Sequence, residues 1–232
     1  MNELDLAVVT RGGDRFYVRA DESDREVLTS RYQRLRFFAP DYVPRGDDTI
    51  VDAGAHIGAF TVAAARRAPQ GRVHAIEPAR ENFAVLAKNV AANRLANVAL
   101  HQVALSGRSG TITLHHTREQ WGHSVLDQIE AGDQKSTETV AAETLPEFIA
   151  RNGIERVDYM KMNVEGAEYA ILLGTPERDL RVIRWMLIEY HPGTAFAAGD
   201  LVEHLQASNF TVDVTPSDAE DGKGWLVARC RT

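Results

Sequence analysis

A single cysteine, Cys230, in 232 residues excludes an intrachain disulfide and any site built from two or more thiolates. Long apolar runs are also missing. No stretch approaches the roughly 20 residues of a membrane-spanning helix. The start, MNELDLAVVT, has no basic cluster and no long apolar core, so neither a secretory leader nor a membrane partner is expected. Positive charge is in deficit, with 26 Lys and Arg against 33 Asp and Glu and a net charge of −7. Phosphate-backbone binding needs clustered Lys and Arg, so a nucleic-acid partner is not expected either. No repeat, low-complexity tract or linker divides the chain. What remains is a cytoplasmic globular protein, 44% hydrophobic, with enough residues for one large α/β domain.

From residue 47 onward, short apolar runs alternate with helical periodicity. TIVDAG (49–54), RVHAIEP (72–78), NVALHQVAL (97–105), VDYMKMN (157–163) and RWMLIEYHP (184–192) read as buried strands. AFTVAAARRA (59–68), residues 79–93 after Pro78, and residues 165–173 before Gly174 and Pro176 read as helices. Asp200 and Glu203 suggest a capping-box start to a further helix ending near Ser208. FTVDV and WLVARC close the chain as two more strands. Strands alternating with helices predict a mostly parallel sheet covered on both faces.

Residues 1–46 differ in character and form an N-terminal extension to a 47–232 core. LAVVTRGGDRFYV predicts a hairpin around Gly12 and Gly13. SDREVLTSRYQRLRFF predicts a short helix capped by Ser23 or Asp24. Its mixture of Arg25, Arg31, Arg34 and Arg36 with Tyr32, Phe37 and Phe38 suits a packed extension or a lid over a ligand.

The strongest local signal is VDAGAHIG, with Asp52 at a strand tip, Gly54 in the turn and Gly58 opening a helix. In a doubly wound sheet the first strand-to-helix turn faces the ligand crevice. Gly54 would let a ligand approach the backbone, and Gly58 would let helix and strand pack closely. A pyrophosphate loop needs G-x-G-x-x-G, and the middle glycine is missing here. Glu77, at the tip of the second strand in AIEP, is placed to accept hydrogen bonds from two ribose hydroxyls. Glycine loop and acid together fit a nucleoside without phosphates.

VDAGAHIGAFT, AIEP with ENF and KNV behind it, SGTITL, KMNVEGAEYAIL and LIEYHP occur in an order and spacing that resemble the FkbM-type family of S-adenosylmethionine-dependent methyltransferases. The resemblance covers roughly residues 46 to 192. It implies the class I methyltransferase (Rossmann-like) fold, a seven-stranded sheet with its last strand inserted antiparallel. It also implies methyl transfer to a hydroxyl of a sugar or secondary metabolite, leaving S-adenosylhomocysteine. Carried over by position, Asp52, Gly54, His56 and Gly58 would line the methionine end of the cofactor. Glu77 would hold the ribose, and Ala104 would sit near the adenine. Two positions depart from the family pattern: His56 stands where Asn is commoner, and Asn163 stands where K-x-D-x-E-G has its aspartate.

Methyl transfer to a hydroxyl needs alignment and a place for the proton. Candidates at the strand ends are Asn163, Glu165, Glu168, Glu189 and His191, with His191 the expected base and Asn163 and Glu165 beside the acceptor. Glu165 could instead act only on the dipole of the helix after it. His115, His116 and His123 show no ligand-like spacing and read as loop residues; with Trp121 and Ser124 that loop could cover the adenine or the acceptor. No metal is expected. A small-molecule acceptor is the expected partner, with homodimerisation left open. The alternative reading is a cofactor-binding homologue whose chemistry is lost or altered through Asn163. A nicotinamide oxidoreductase is disfavoured by the glycine spacing, and a nucleic-acid methyltransferase by MNVE standing at the fourth strand where N-P-P-Y would be needed.

Overall fold

A computed structural model of the chain describes residues 6–20, 22–28, 38–117, 134–192, 195–217 and 222–231. The sequence expects a parallel core, and the central strands show why. β3 (Thr49–Ala53) carries Ile50 and Val51 and is buried at four of its five positions, so both of its faces must be covered. It pairs in parallel with β4 (Arg72–Ile76) on one side and with β9 (Tyr159–Met162) on the other. β5 (Val98–His101) and β10 (Trp185–Tyr190) extend the parallel sheet outward. β12 (Gly224–Cys230) enters antiparallel beside β10, and β11 (Phe210–Pro216) pairs antiparallel at the edge. The sheet order is β11-β12-β10-β9-β3-β4-β5, the seven-stranded arrangement with an inserted antiparallel strand.

After β3 the chain builds outward to β4 and β5, then returns to place β9 on the opposite flank of β3. The C-terminal ends of β3 and β9 therefore border the switch point where such sheets bind ligands. Helices α2 (Ala59–Arg67) and α3 (Arg80–Ala92) follow β3 and β4. On the other flank, α5 (Glu168–Leu173), α6 (Glu177–Leu180) and α7 (Ala198–Ala207) flank β10 in sequence. Leu145, Phe148, Met160, Met162, Ile171, Ile188 and Leu205 belong to the largest buried cluster. Among the described residues, no helix is long and apolar enough to cross a membrane.

Several expectations change in detail. The third strand splits: β5 stops at His101, and Ala104–Leu105 form β6 in a separate three-stranded sheet. That sheet, in order β6-β8-β7, is completed by β7 (Gly110–Thr117) and β8 (Gln134–Glu143), so His115 and His116 lie on a strand and not in a loop. Trp121, His123 and Ser124 lie outside the described residues. α4 (Leu145–Arg151) has a capping box in which Thr144 and Glu147 exchange hydrogen bonds, a T-x-x-E signal that the periodicity reading passes over. In α7 the roles are reversed from expectation: Asp200 is the third helical residue and accepts from the Ala197 N–H (2.7 Å).

The N-terminal hairpin forms as expected, β1 (Leu6–Arg11) against β2 (Asp14–Arg19), with Gly12 and Gly13 at positive φ. β2 docks on α3, where Asn93 and Asn89 side chains accept from Arg15 N (3.0 Å) and Tyr17 N (2.6 Å). Phe16, Val18, Val27 and Leu28 bury against Ile57, Val62 and Val85, which makes this part of the extension a packed element of the domain. α1 (Glu22–Leu28) begins before Asp24, so Asp24 is not its cap. Its carboxylate serves Arg19 instead, accepting from the Arg19 N–H (2.7 Å), Nε (3.0 Å) and Nη2 (2.6 Å). Arg31, Tyr32, Arg34, Arg36 and Phe37 lie outside the described residues.

Candidate active site

The glycine loop leaves β3 at Ala53, and the N–H groups of Gly54 and Ala55 both donate to the Ile76 carbonyl (3.0 and 2.9 Å). Gly54 has φ 78°, and a Cβ there would stand 1.8 Å from the Asn163 carbonyl oxygen. The position a Cβ would take is filled by the end of β9, so packing as well as φ requires glycine here. Gly58 (φ 90°) caps α2, and a Cβ would meet Leu86 Cδ1 at 2.6 Å, so it serves a helix–helix contact. Asp52 is fully buried beneath the loop. It accepts from the Thr61 hydroxyl (2.5 Å) and lies 3.5 Å from Lys161 Nζ, which also donates to the Gly54 carbonyl (2.9 Å). Asp52 is thus a buttress under the loop. Lys161, on β9, is a site residue that sequence reasoning missed; a lysine inside a buried strand was the available signal.

Glu77 sits just past β4 and is 5% exposed. Its Oε2 accepts from the His56 N–H (2.8 Å), and its Oε1 from Ala79 N (3.0 Å) and Asn82 Nδ2 (3.4 Å). Burial pushes its carboxyl up to about 7, although these three donors and Lys161 pull the other way. The structure joins the glycine loop directly to this acid through one amide. Ala104 is packed with Ala79, Leu114, Val140 and Ala142, on the small sheet next to the start of α3.

On the other side of the switch point, the segment after β9 makes a left-handed turn, with Glu165 at φ 51° and Gly166 at φ 99°. The helix therefore begins at Glu168 and not at Glu165. Glu168 is fully buried and ties two loops together. Its Oε2 accepts from Gly166 N (2.9 Å), while its Oε1 accepts from His191 N (2.8 Å) and lies 3.2 Å from His191 Nδ1. His191 Nε2 stands 3.3 Å from Glu165 Oε2, close enough for an ion pair but without a hydrogen bond. Burial works against charging this imidazole. The Glu168 hydrogen bond and the fields of Glu165, Glu168 and Glu189 outweigh it and hold the His191 pKa above its ordinary value. Glu165 and Glu189 are themselves pushed up, chiefly by burial. The Asn163 side-chain oxygen is buried with no hydrogen-bond partner.

The sequence-predicted residues thus fall into two groups that meet where Gly54 abuts Asn163. Asp52, Gly54, His56, Gly58 and Glu77 form one group, and Asn163, Glu165 and His191 the other. Among the described residues, His115 joins no cluster of three potential metal ligands.

A model of the methyltransferase FkbM domain matches residues 52–212. Methyltransferase sdnD of Sordaria araneosa is 32% identical over 168 residues, covering 60% of this chain and 65% of that relative, just under two thirds of its length. The 31-O-demethyl-FK506 methyltransferase FkbM of Streptomyces tacrolimicus is 28% identical over 198 residues, covering 72% of this chain and 74% of that protein. In fold the chain is similar to the M. jannaschii TYW2 structure with AdoMet, with a TM-score of 0.53 at 14% identity, covering 98% of this chain and 86% of that one. It is also similar to M. capricolum TrmK with S-adenosyl-homocysteine, with a TM-score of 0.53 at 12% identity, covering 89% and 70%. This chain belongs to the FkbM methyltransferase family.

Proposed function

We propose that the chain transfers a methyl group to a hydroxyl of a small molecule, a sugar or secondary metabolite, without a metal ion. The observation that carries this reading is the buried Glu165–His191–Glu168 cluster on the far side of the Gly54–Asn163 seam from Glu77. A hydroxyl must give up its proton as its oxygen gains the methyl, and this cluster is built to hold protons. The name of the Streptomyces relative points the same way, since it describes an O-demethyl acceptor.

The residues fit an adenosyl cofactor. Each carboxylate oxygen offers two acceptor positions, and Glu77 Oε2 uses only one, for the His56 amide, which leaves room for a ribose hydroxyl. The Glu77 N–H is committed to the His101 carbonyl (3.1 Å), so the acid is held in place by the sheet. When bound, the cofactor supplies the electrophilic methyl on its sulfonium. Glu168 fixes the His191 ring by holding both its backbone N–H and its Nδ1 edge. Glu165 Oε2 stands 3.3 Å from His191 Nε2, so the two side chains form a pair that can take up the acceptor's proton. Asn163 keeps an acceptor oxygen for the substrate hydroxyl but brings no charge, and it is a weaker ligand than a carboxylate for a hard cation.

A second reading, a cofactor-binding homologue with altered chemistry, rests on that same neutral Asn163. Methyl-labelled S-adenosylmethionine and a panel of sugar and polyketide-like hydroxyl acceptors separate the two. The proposal expects label in an acceptor matched by S-adenosylhomocysteine, with the rate unchanged by a chelator. Tight cofactor binding with no transfer to any acceptor would favour the second reading, and loss of transfer on chelation would remove the metal-free part of the first.

A further inference from the structure

The N-terminal extension reaches the cofactor loop through a buried polar cluster. Arg19, at the end of β2, and Asp24, on α1, make a two-point ion pair with side chains 7% and 0% exposed. The His56 ring lies on that pair, its Nε2 3.3 Å from Arg19 Nη2 and 3.6 Å from Asp24 Oδ1. His56 is at the same time the residue whose backbone N–H donates to Glu77, and it holds a left-handed conformation, φ 51°, that a non-glycine residue adopts only at a cost. Something must keep the residue there. Its amide is aimed at Glu77 only while the turn persists, and the side chain that would otherwise disfavour the turn is gripped by the N-terminal pair.

We propose that Arg19 and Asp24 are positioning residues of the cofactor site, which hold His56 and through it the amide that orients Glu77. The inference rests on the cofactor occupying the glycine loop beside Glu77. It makes the hairpin and α1 part of the cofactor grip. Docking of this extension and cofactor binding then become linked, and by reciprocity each strengthens the other. A buried pair serving only the fold would stabilise the domain without this coupling.

The test is a double-mutant cycle read by cofactor calorimetry. Asp24→Asn leaves Arg19 without its anionic partner, and His56→Asn shortens the side chain while keeping a residue that tolerates the left-handed turn. Asp24→Asn is expected to raise the Kd for S-adenosylmethionine about tenfold in the parent and less than twofold in the His56→Asn background. Equal losses in both backgrounds, or no loss in the parent, would overturn the proposal. Arg19→Lys, which keeps the charge but loses the fork, gives the same cycle should Asp24→Asn not fold. Hydrogen exchange supplies an independent readout: S-adenosylhomocysteine should slow exchange of the β2 amides in the parent and not in His56→Asn, and equal slowing in both also counts against the coupling. A parent chain that binds no cofactor at all would instead refute the placement of the cofactor.

Discussion

The two sides of the crevice are made from different materials. On the side we assign to the cofactor, one carboxylate, Glu77, collects two backbone N–H groups and a side-chain amide, and the loop beneath it is bolted by Lys161 and Asp52. On the side we assign to the acceptor, the polar groups are mostly side chains that crowd one another. Glu165, Glu168 and Glu189 surround one imidazole. Buried polar atoms without a hydrogen bond occur on both sides, at Asn163 Oδ1 and His191 Nε2 here and at Asp52 Oδ1 beneath the glycine loop. Both sides hold a non-glycine residue at φ 51°, His56 and Glu165. Backbone donors are fixed by the fold and need little further ordering, so the first side is preorganised for a constant ligand. The second side gathers titratable side chains, the groups that proton transfer from an acceptor requires.

If the cofactor side is structural as well as functional, damage there should cost stability. Lys161→Met removes the ammonium from buried Asp52 and the Gly54 carbonyl, leaving an uncompensated buried charge. It should lower the unfolding free energy by about 3–5 kcal/mol in denaturant titration. The double variant with Asp52→Asn should be milder than Lys161→Met alone, because no charge is then stranded. A Lys161→Met protein as stable as the parent would dissolve the contrast between the two sides.

Damage on the acceptor side should show in turnover instead. His191→Gln can still donate to Glu168 but cannot carry the proton, so the rate on a true acceptor should fall by about a hundredfold or more. Cofactor affinity should hardly change. Because the His191 pKa lies above its ordinary value, the form able to take a proton grows as pH rises through that raised value. The parent rate should therefore climb as pH rises above the ordinary imidazole value, and the variant should lose that limb. A variant with the parent's rate and pH profile would reduce His191 to a packing residue.

The same contrast explains what could be read from the sequence. Strand and helix alternation, the glycine loop and Glu77 are local patterns, each enforced by a nearby backbone requirement. The β7–β8 hairpin escaped because its partners are separated by residues 118–133, and pairing across such a span leaves no short-range turn signal. Lys161 and the Arg19–Asp24 pair escaped, and Glu168 was a candidate whose partner was not legible, for a related reason. Their partners stand at Gly54, His56 and His191, and only the folded sheet brings them together. A glutamate in EGAEY looks like a solvated helix start, yet Glu168 is fully buried because it must serve the two loops after β9 and β10.

Glu77 tests the preorganised side with a smaller effect. Glu77→Ala should weaken cofactor binding by roughly 1.5–3 kcal/mol, the loss of a charge-assisted contact to the ribose. The sign of its pH dependence follows from the raised carboxyl, about 7 against an ordinary 4.5. In the free protein, folding takes up a proton between these values, so stability declines as pH rises through that window. Hydroxyl donors favour the ionised form, so binding near pH 6 should release a proton and affinity should rise up to about pH 7, then level off. Calorimetry in buffers of different ionisation enthalpy reads that proton directly. Glu77→Gln should abolish the release, and a parent that releases none would mean the acid is already ionised or is not at the ribose.

Asn163 should give the smallest change in cofactor affinity and the finest discrimination. It lies at the seam, yet its backbone does the joining: the Asn163 N–H donates to the Ala53 carbonyl (3.0 Å), and its own carbonyl fills the space over Gly54. Asn163→Asp preserves both contacts and alters only the side chain, so the Kd for S-adenosylmethionine should stay within about threefold, roughly 0.7 kcal/mol. The new carboxylate would stand two residues before Glu165 in the same turn, adding negative charge to a neighbourhood already crowded with it. That field favours the charged imidazole and should push the His191 pKa higher still, displacing the rising limb of the pH–rate profile to higher pH. With the Glu165–His191 pair as proton acceptor, the substitution therefore brings no gain in rate at neutral pH. A tenfold or larger gain, a barrier lower by about 1.4 kcal/mol, would show that the neutral amide is what withholds the chemistry and would favour the cofactor-binding homologue. A large loss of cofactor affinity with no change in rate would move Asn163 to the cofactor side and erase the division between the two.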